Sequence, residues 1–264
     1  MGIVNVTPDS FSDGGEHADT GSAVAHGLRL AAEGAAILDV GGESTRPGSE
    51  PVPVDEELRR VVPVVESLVA ASPAVVSVDT TKAAVARAAL DAGAAIVNDV
   101  TALRGDPAMA ALVAERGCQL CLMHMLGEPR TMQDDPRYDD VVAEVTAFLE
   151  ERLAAAVAAG VREEQVLLDP GIGFGKTLEH NLTLLAHLDR IAAIGRPVVL
   201  GATRKRFIGA LLGLAPGERA VGTVATTVLG LARGAAVLRV HDVRPNVEAL
   251  RVAQAILEAG GTPA

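Results

Sequence analysis

Two cysteines in 264 residues are too few for a disulfide framework, so the fold must be held by packing, and a cytoplasmic location is the expectation. Basic charge is also scarce. A formal charge of −11 sets summed repulsion against any polyanion, which argues against nucleic acid or anionic membrane as a general partner. The chain does not open with a basic leader and a long apolar run, and charges or turn residues interrupt each later apolar stretch. Neither an export signal nor a membrane span is therefore read. What the chain has is 49% hydrophobic residues, enough for a large core. An anionic substrate would have to be held by a local basic cluster.

The organising signal is a repeated junction, in which an Ala-rich amphipathic segment reaches a glycine and a short aliphatic run follows. Gly34, Gly93, Gly117, Gly160, Gly195, Gly234 and Gly260 stand at such ends, and Ser72-Pro73 stops the remaining helix. Val142, Val145, Leu149, Leu153 and Val157 illustrate the helical spacing before Gly160. The aliphatic runs at 2–6, 36–40, 74–78, 95–97, 119–123, 166–168, 197–200 and 236–240 are too short for helices. Nearly continuous apolar character marks them as strands covered on both faces, and parallel neighbours need helical crossovers. The expected fold is α/β, a single (β/α)8 TIM barrel forming one domain over 1–264, since barrels of about 250 residues commonly make one domain. An open doubly wound sheet is the alternative, and even spacing of the units favours closure. Segment 221–231 is apolar beyond one stripe, so it must be buried, against a second subunit or on its own barrel.

The longest irregular stretches, 7–19, 41–53 and 126–137, follow strands, and in a parallel barrel such loops gather at the carboxyl ends and build the active site. Each aliphatic run is followed by polar residues. An isolated Asp or Ser there is ordinarily a helix cap, but eight such ends mixing carboxylates, amides and cations point to a pocket. Asp39, Asp79 and Asp169 can accept hydrogen bonds from the amino and ring N–H groups of a guanidine-like heterocycle, and Asn98 can donate and accept together. Arg46, Arg239 and His241, with the Asn5 amide, offer donors and a metal-friendly oxygen to a phosphate-bearing group.

The opening MGIVNVTPDSFSDGG resembles the signature of dihydropteroate synthases. The resemblance continues through DVGGESTRPG at 39–48, SVDTTK at 77–82, VNDV at 97–100, MHMLGEPRTMQ at 123–133, LDPGIGFGK at 168–176, GATRK at 201–205 and RVHDV at 239–243. It implies a transferase of folate biosynthesis that joins a dihydropterin pyrophosphate to 4-aminobenzoate, releases pyrophosphate, uses Mg2+, forms a homodimer and is a sulfonamide target. It implies that Asp39, Asp79, Asn98, Met123, Asp169, Phe174, Gly201 and Lys205 surround the pterin. Asn5, Thr45, Arg46, Arg239 and His241 would take the pyrophosphate, with Asn5 on Mg2+. Asp9, Ser10, Phe11, Pro47, Lys205 and Arg206 would enclose aminobenzoate. Asp79, Asp169, Lys205, Arg239 and His241 would be the catalytic set, acting by charge placement rather than through a side-chain nucleophile.

The chain departs from the family's pattern in three places. Arg206 stands where many members have Ser, Leu126 and Glu128 replace commoner Gln and Thr, and the segment that usually precedes the first strand is not there. The last point implies either an uncovered barrel floor or a shortened start.

Other motifs are set aside. Cys118-x-x-Cys121-x-x-His124 invites a metal or redox reading, but residues three apart in a strand project to opposite faces. Gly175-Lys176-Thr177 resembles the tail of a P-loop without its first glycine. His17, His26, His180 and His187 are read as surface or helix-face residues, Lys82 and Arg204 as members of structural ion pairs. A methyltetrahydrofolate–corrinoid methyltransferase and a silent pterin-binding paralogue are the competing functions, and the pyrophosphate cluster argues against both.

Overall fold

The computed structural model describes residues 1–6, 16–44, 49–128 and 131–260. Eight parallel strands pair in chain order: β1 (Gly2–Asn5), β2 (Ile37–Gly41), β3 (Val75–Asp79), β4 (Ile96–Asp99), β5 (Gln119–Met123), β6 (Val166–Asp169), β7 (Val198–Leu200) and β8 (Ala235–Leu238). The sheet closes on itself. Gly2 bridges Val240 in parallel, the Ile3 N–H donating to the Val240 carbonyl at 3.1 Å and the Val240 N–H to the Met1 carbonyl at 2.9 Å. This is the expected (β/α)8 barrel, and closure excludes the open-sheet alternative.

The crossovers are α1 (Glu16–Ala32), α2 (Val54–Ala71), α3 (Ala83–Asp91), α4 (Met109–Arg116), α5 (Val141–Ala158), α6 (Leu178–Ala186), α7 (Leu188–Ala192), α8 (Arg206–Leu212), α9 (Ala220–Ala232) and α10 (Val243–Ala259). Two are extra to the eightfold repeat: short α7 after α6, and short α8 between β7 and α9. Helix ends follow the sequence. Ser72 is extended after α2, and six of the seven stop glycines take φ between 63° and 103°; Gly260, at −76°, does not.

Alternation along the strands makes two interiors. Val4, Leu38, Val40, Val78, Leu122, Leu168 and Leu200 face outward and pack under the helices. Cys121, Leu167 and Val199, with Val237, point inward and plug the barrel. One residue further up the same inward rows stand Asp79, Asn98, Asp169 and Arg239, so the lumen passes from apolar plug to charged mouth. Cys118 packs with the outer core and Cys121 with the plug, as the opposed projection of a strand requires.

Of the two burials expected for segment 221–231, packing on its own barrel covers only one face. α9 seats Thr223, Thr226, Thr227 and Gly230 on the barrel, while Val221 and Leu229 remain 81% and 62% exposed. The threonine hydroxyls can lie inward because the helix's own carbonyls and the Asn246 amide oxygen accept their hydrogen bonds. In α5, Val145 and Leu149 are buried as the spacing predicts, but Val157 is exposed.

Candidate active site

The sheet register brings the acidic positions together. Asn5 pairs with Gly41, Gly41 with Asp79, and Asp79 with Asn98, so successive strands present polar ends at one level. Arg239, from the end of β8, reaches across this level. Its Nε donates to Asp39 Oδ2 at 2.6 Å and its Nη2 to Asp79 Oδ2 at 2.8 Å, and Asn98 Nδ2 donates to the same Asp39 oxygen at 3.1 Å. Asp39, Asn98 and Asp169 are buried, and the Asp79 side chain is 11% exposed. Burial pushes the Asp79 carboxyl up to about 7 against the pull of Arg239, with the negative charges of Asp39, Glu57 and Asp99 adding to the rise. Burial likewise raises Asp169, while the Gly171 N–H, which donates to its Oδ1 at 2.7 Å, and the charge of Lys205 oppose it. Arg239 is held as a cation by Asp39 and Asp79 despite its burial. Among the described residues, Asp39 Oδ1 is buried and has no hydrogen-bond partner.

Beside this polar cluster stands an apolar wall. Met123 packs with Val100, Met125, Met132 and the Phe174 ring, and Lys205 Nζ lies 3.9 Å from the Phe174 ring centroid, a cation–π contact. Gly201 keeps the space between open, since a Cβ there would meet only Asp169 Oδ2 at 3.7 Å and Arg239 carbons beyond it. A flat ring with N–H donors on its edge matches an apolar wall on one side and acceptors at the end.

The wall rests on the β6–α6 turn, which contains Gly171 and Gly175 at φ 65° and 63°. Neither tolerates a side chain: a Cβ on Gly171 would fall 1.9 Å from the His124 carbonyl oxygen, and one on Gly175 2.8 Å from that of Leu126. The α8 turn carries Lys205 and Arg206. Arg204, at φ 52°, donates through Nε to Asp242 at 2.9 Å, and Thr203 Oγ1 lies 3.1 Å from His241 Nδ1, so the β7 and β8 loops are tied together. Lys82 pairs with Glu43 and buried Glu57. Both cations therefore serve ion pairs, as expected.

The structure thus gathers Asn5, Asp39, Asp79, Asn98, Met123, Asp169, Phe174, Gly201, Lys205, Arg239 and His241 at the barrel mouth. Arg206 is exposed at the start of α8. Asp9, Ser10, Phe11, Thr45, Arg46 and Pro47 lie outside the described residues. The sequence places Arg239 with the anion-binding group, whereas its guanidinium is bonded to the acidic cluster, where it balances two carboxylates. Met125, Met132 and Val100, unassigned from sequence, complete the wall; the paired methionines flanking His124 were the available signal.

Over residues 1–241 the chain matches the family described as pterin binding enzyme. It is 49% identical over 259 residues to the dihydropteroate synthase of Escherichia coli (strain K12), an alignment covering 98% of this chain and 92% of the relative. Among solved structures, the dihydropteroate synthase of Xanthomonas albilineans with 4-aminobenzoic acid superposes with a TM-score of 0.93 at 55% identity, covering 100% of this chain and 93% of that one. A structure of the Xanthomonas albilineans enzyme with 7,8-dihydropteroate gives 0.88 at 52% identity, covering 100% and 94%.

Proposed function

The chain belongs to the dihydropteroate synthase family of pterin-binding enzymes, and from that premise we propose that it condenses 6-hydroxymethyl-7,8-dihydropterin pyrophosphate with 4-aminobenzoate to give 7,8-dihydropteroate and pyrophosphate. The observation that carries the reading is the joint placement of Asp79, Asn98 and Asp169 beside the Met123–Phe174 wall, with Arg239 bridging Asp39 and Asp79. The pterin lies against Phe174 and Met123, its N–H edge toward Asp79 and Asp169, with Asn98 and Lys205 at its oxygen and ring nitrogen. Lys205 and Arg206, with Asp9, Ser10, Phe11 and Pro47, receive aminobenzoate. His241, Arg239, Asn5, Thr45 and Arg46 receive pyrophosphate, and Arg239 also orders the carboxylates between the two ends.

The donor set fits a magnesium ion that arrives with pyrophosphate. The Asn5 amide makes no hydrogen bond with another described residue, and Mg2+ favours one or two protein oxygens supplemented by phosphate and water. When bound it neutralises charge on the leaving group. The chain's own residues do the rest. Breaking the C–O bond sends its electron pair onto pyrophosphate and leaves positive charge on the pterin methylene, which Asp79, Asp169 and Asp39 stabilise from fixed positions in a low-dielectric site. The arylamine nitrogen then forms the new C–N bond and passes its proton to the departing pyrophosphate or to water. Lys205, poised over Phe174, holds the acceptor against that carbon.

Val221 and Leu229 of α9 and Val252 and Ile256 of α10 are each more than 60% exposed, on two helices that pack against each other. A second copy of the chain covers them, because the paired helices present a surface that can meet its own twofold image. Free thiols at Cys118 and Cys121 suit a cytoplasmic home.

The test is release of pyrophosphate from the dihydropterin substrate in the presence of aminobenzoate and Mg2+, omitting each in turn. Release that needs all three supports the reading. Methyl transfer to cobalamin without pyrophosphate release would replace it with the methyltransferase alternative, and pterin binding without turnover with the silent paralogue.

A further inference from the structure

Lys176 is a buried cation outside the proposed catalytic set. It is 3% exposed, and its ammonium has three partners: His124 Nδ1 at 2.8 Å and the carbonyl oxygens of Gly171 and Phe174 at 3.0 Å each. Three acceptors for three hydrogens leave nothing to offer a phosphate, which disposes of the P-loop resemblance. For Nδ1 to accept, the His124 ring must be neutral. Burial, together with the charges of Lys176 and Arg104, keeps it so by lowering its pKa to about 3. The ring is itself fixed edge-on to Phe148 at 4.8 Å.

The two carbonyls that Lys176 grips bracket the turn beneath the apolar wall. The Gly171 carbonyl also accepts from the Phe174 N–H at 3.0 Å, Gln133 Nε2 donates to the Gly173 carbonyl at 2.6 Å, and the Tyr138 hydroxyl donates to that of Gly175 at 2.9 Å. The Gly173 N–H is taken by Asn181 Oδ1 at 2.7 Å. Of these braces, Lys176 alone joins the turn directly to the end of β5 and bonds to Phe174 itself. We propose that Lys176 and His124 form a clamp that positions the Phe174 ring against the bound pterin, so that both are positioning residues for the condensation. The proposal rests on the reading of Phe174 as part of the pterin pocket. The clamp faces Asp169 on β6 and Lys205 beyond β7, and Asp169 opposes the fall that burial imposes on the ammonium, to about 7.

Calorimetry with 6-hydroxymethyl-7,8-dihydropterin distinguishes this role from bulk stabilisation. Lys176→Met keeps the stem and removes the three hydrogen bonds. Phe174→Ala and Lys176→Met should each weaken pterin binding on the order of tenfold, and the double variant should bind no worse than Phe174→Ala alone, because a clamp acting through the ring has nothing left to position. Losses that multiply, or Lys176→Met binding within about twofold of the parent, would overturn the clamp. Unchanged affinity in Phe174→Ala would remove the ring from the pocket and the proposal with it, whereas a failed pyrophosphate-release assay would strike the proposed reaction alone. His124 supplies a second route should Lys176→Met not fold. His124→Asn keeps an acceptor near the Nδ1 position and should bind pterin like the parent, while His124→Leu should match Phe174→Ala; equal affinity in these two histidine variants refutes the inference.

Discussion

Replacing Asp79 by asparagine should strengthen the fold while crippling the site. Burial raises its carboxyl to about 7 in the native protein, against about 3.9 in an unfolded chain. The native state therefore binds the Asp79 proton more tightly. The stability this group contributes is present below about pH 4, falls as the pH rises, and is lost once the pH passes about 7. A gap of about three pH units at 1.36 kcal/mol each sets a ceiling of roughly 4 kcal/mol for the cost of ionising Asp79 at pH 8. Asparagine removes that cost but also one partner of Arg239. Arg239 keeps Asp39 at 2.6 Å, so the cation is not orphaned, and the net gain should be about 1–3 kcal/mol. In thermal melts this corresponds to an increase of roughly 2–10 °C at pH 8, and to little change at pH 5, where Asp79 is already protonated. Pterin binding, measured by calorimetry at pH 8, should weaken by roughly 1.5–3 kcal/mol with the loss of an ionised acceptor. An equal drop in melting temperature at both pH values would show that the Asp79–Arg239 pair stabilises the fold, and the argument from desolvation would fail.

Arg239→Met should act in the opposite sense, because it leaves Asp39 and Asp79 without their cation. A loss of about 3–5 kcal/mol at pH 8 is expected in urea unfolding, and it should shrink toward pH 5 as Asp79 takes up its proton. Asp169→Asn should weaken pterin binding by roughly 1.5–3 kcal/mol, and unchanged calorimetric affinity would take Asp169 out of the pterin role. Gly171→Ala combines a left-handed backbone with a Cβ 1.9 Å from the His124 carbonyl; it should cost more than about 2 kcal/mol in chemical unfolding, whereas Gly195→Ala, with open space around the Cβ, should cost only the backbone strain. Ile256→Glu, at a position 66% exposed, should leave the melting temperature of the isolated barrel almost unchanged; the proposed pairing through α9 and α10 requires that it lower the sedimentation coefficient of the parent, and an unchanged coefficient would refute that pairing.

The barrel was legible because its strands are short, covered on both sides and separated by helices with marked ends; that pattern depends on local composition alone. The acidic and basic strand ends were legible for the same reason, since register brings strand ends to one level without further information. What the sequence hid was pairing across the lumen. Arg239 and Asp39 are 200 residues apart, and a basic residue near a histidine reads as half of an anion site until the barrel closes and sets it against two carboxylates. Which face of α9 meets the barrel is hidden for a different reason. Hydropathy marks valine and leucine as inward, but threonines that return their hydroxyls to helical carbonyls are narrow enough to seat on the strands, which leaves the larger side chains outside. The glycine-flanked run around Lys176 matches a phosphate loop imperfectly, and nothing in the run reveals that three acceptors converge on its ammonium.

The acidic end of the mouth and the proposed chemistry share one physical origin. Asp39, Asp79 and Asp169 outnumber the single guanidinium bonded among them, and Asp39 Oδ1 is buried without a partner among the described residues. An unmet acceptor in such a place destabilises the folded protein by about 1–3 kcal/mol, and the raised pKa of Asp79 is a second sign of the same excess. A ring bearing several N–H donors relieves that excess on binding. Positive charge developing on the ring as pyrophosphate departs relieves it further, so the interaction is stronger in the transition state than with the resting substrate, which is the condition for acceleration rather than mere affinity. A mouth with balanced charges would fold more firmly and bind a neutral ring as well, but it would gain nothing when the carbon–oxygen bond breaks.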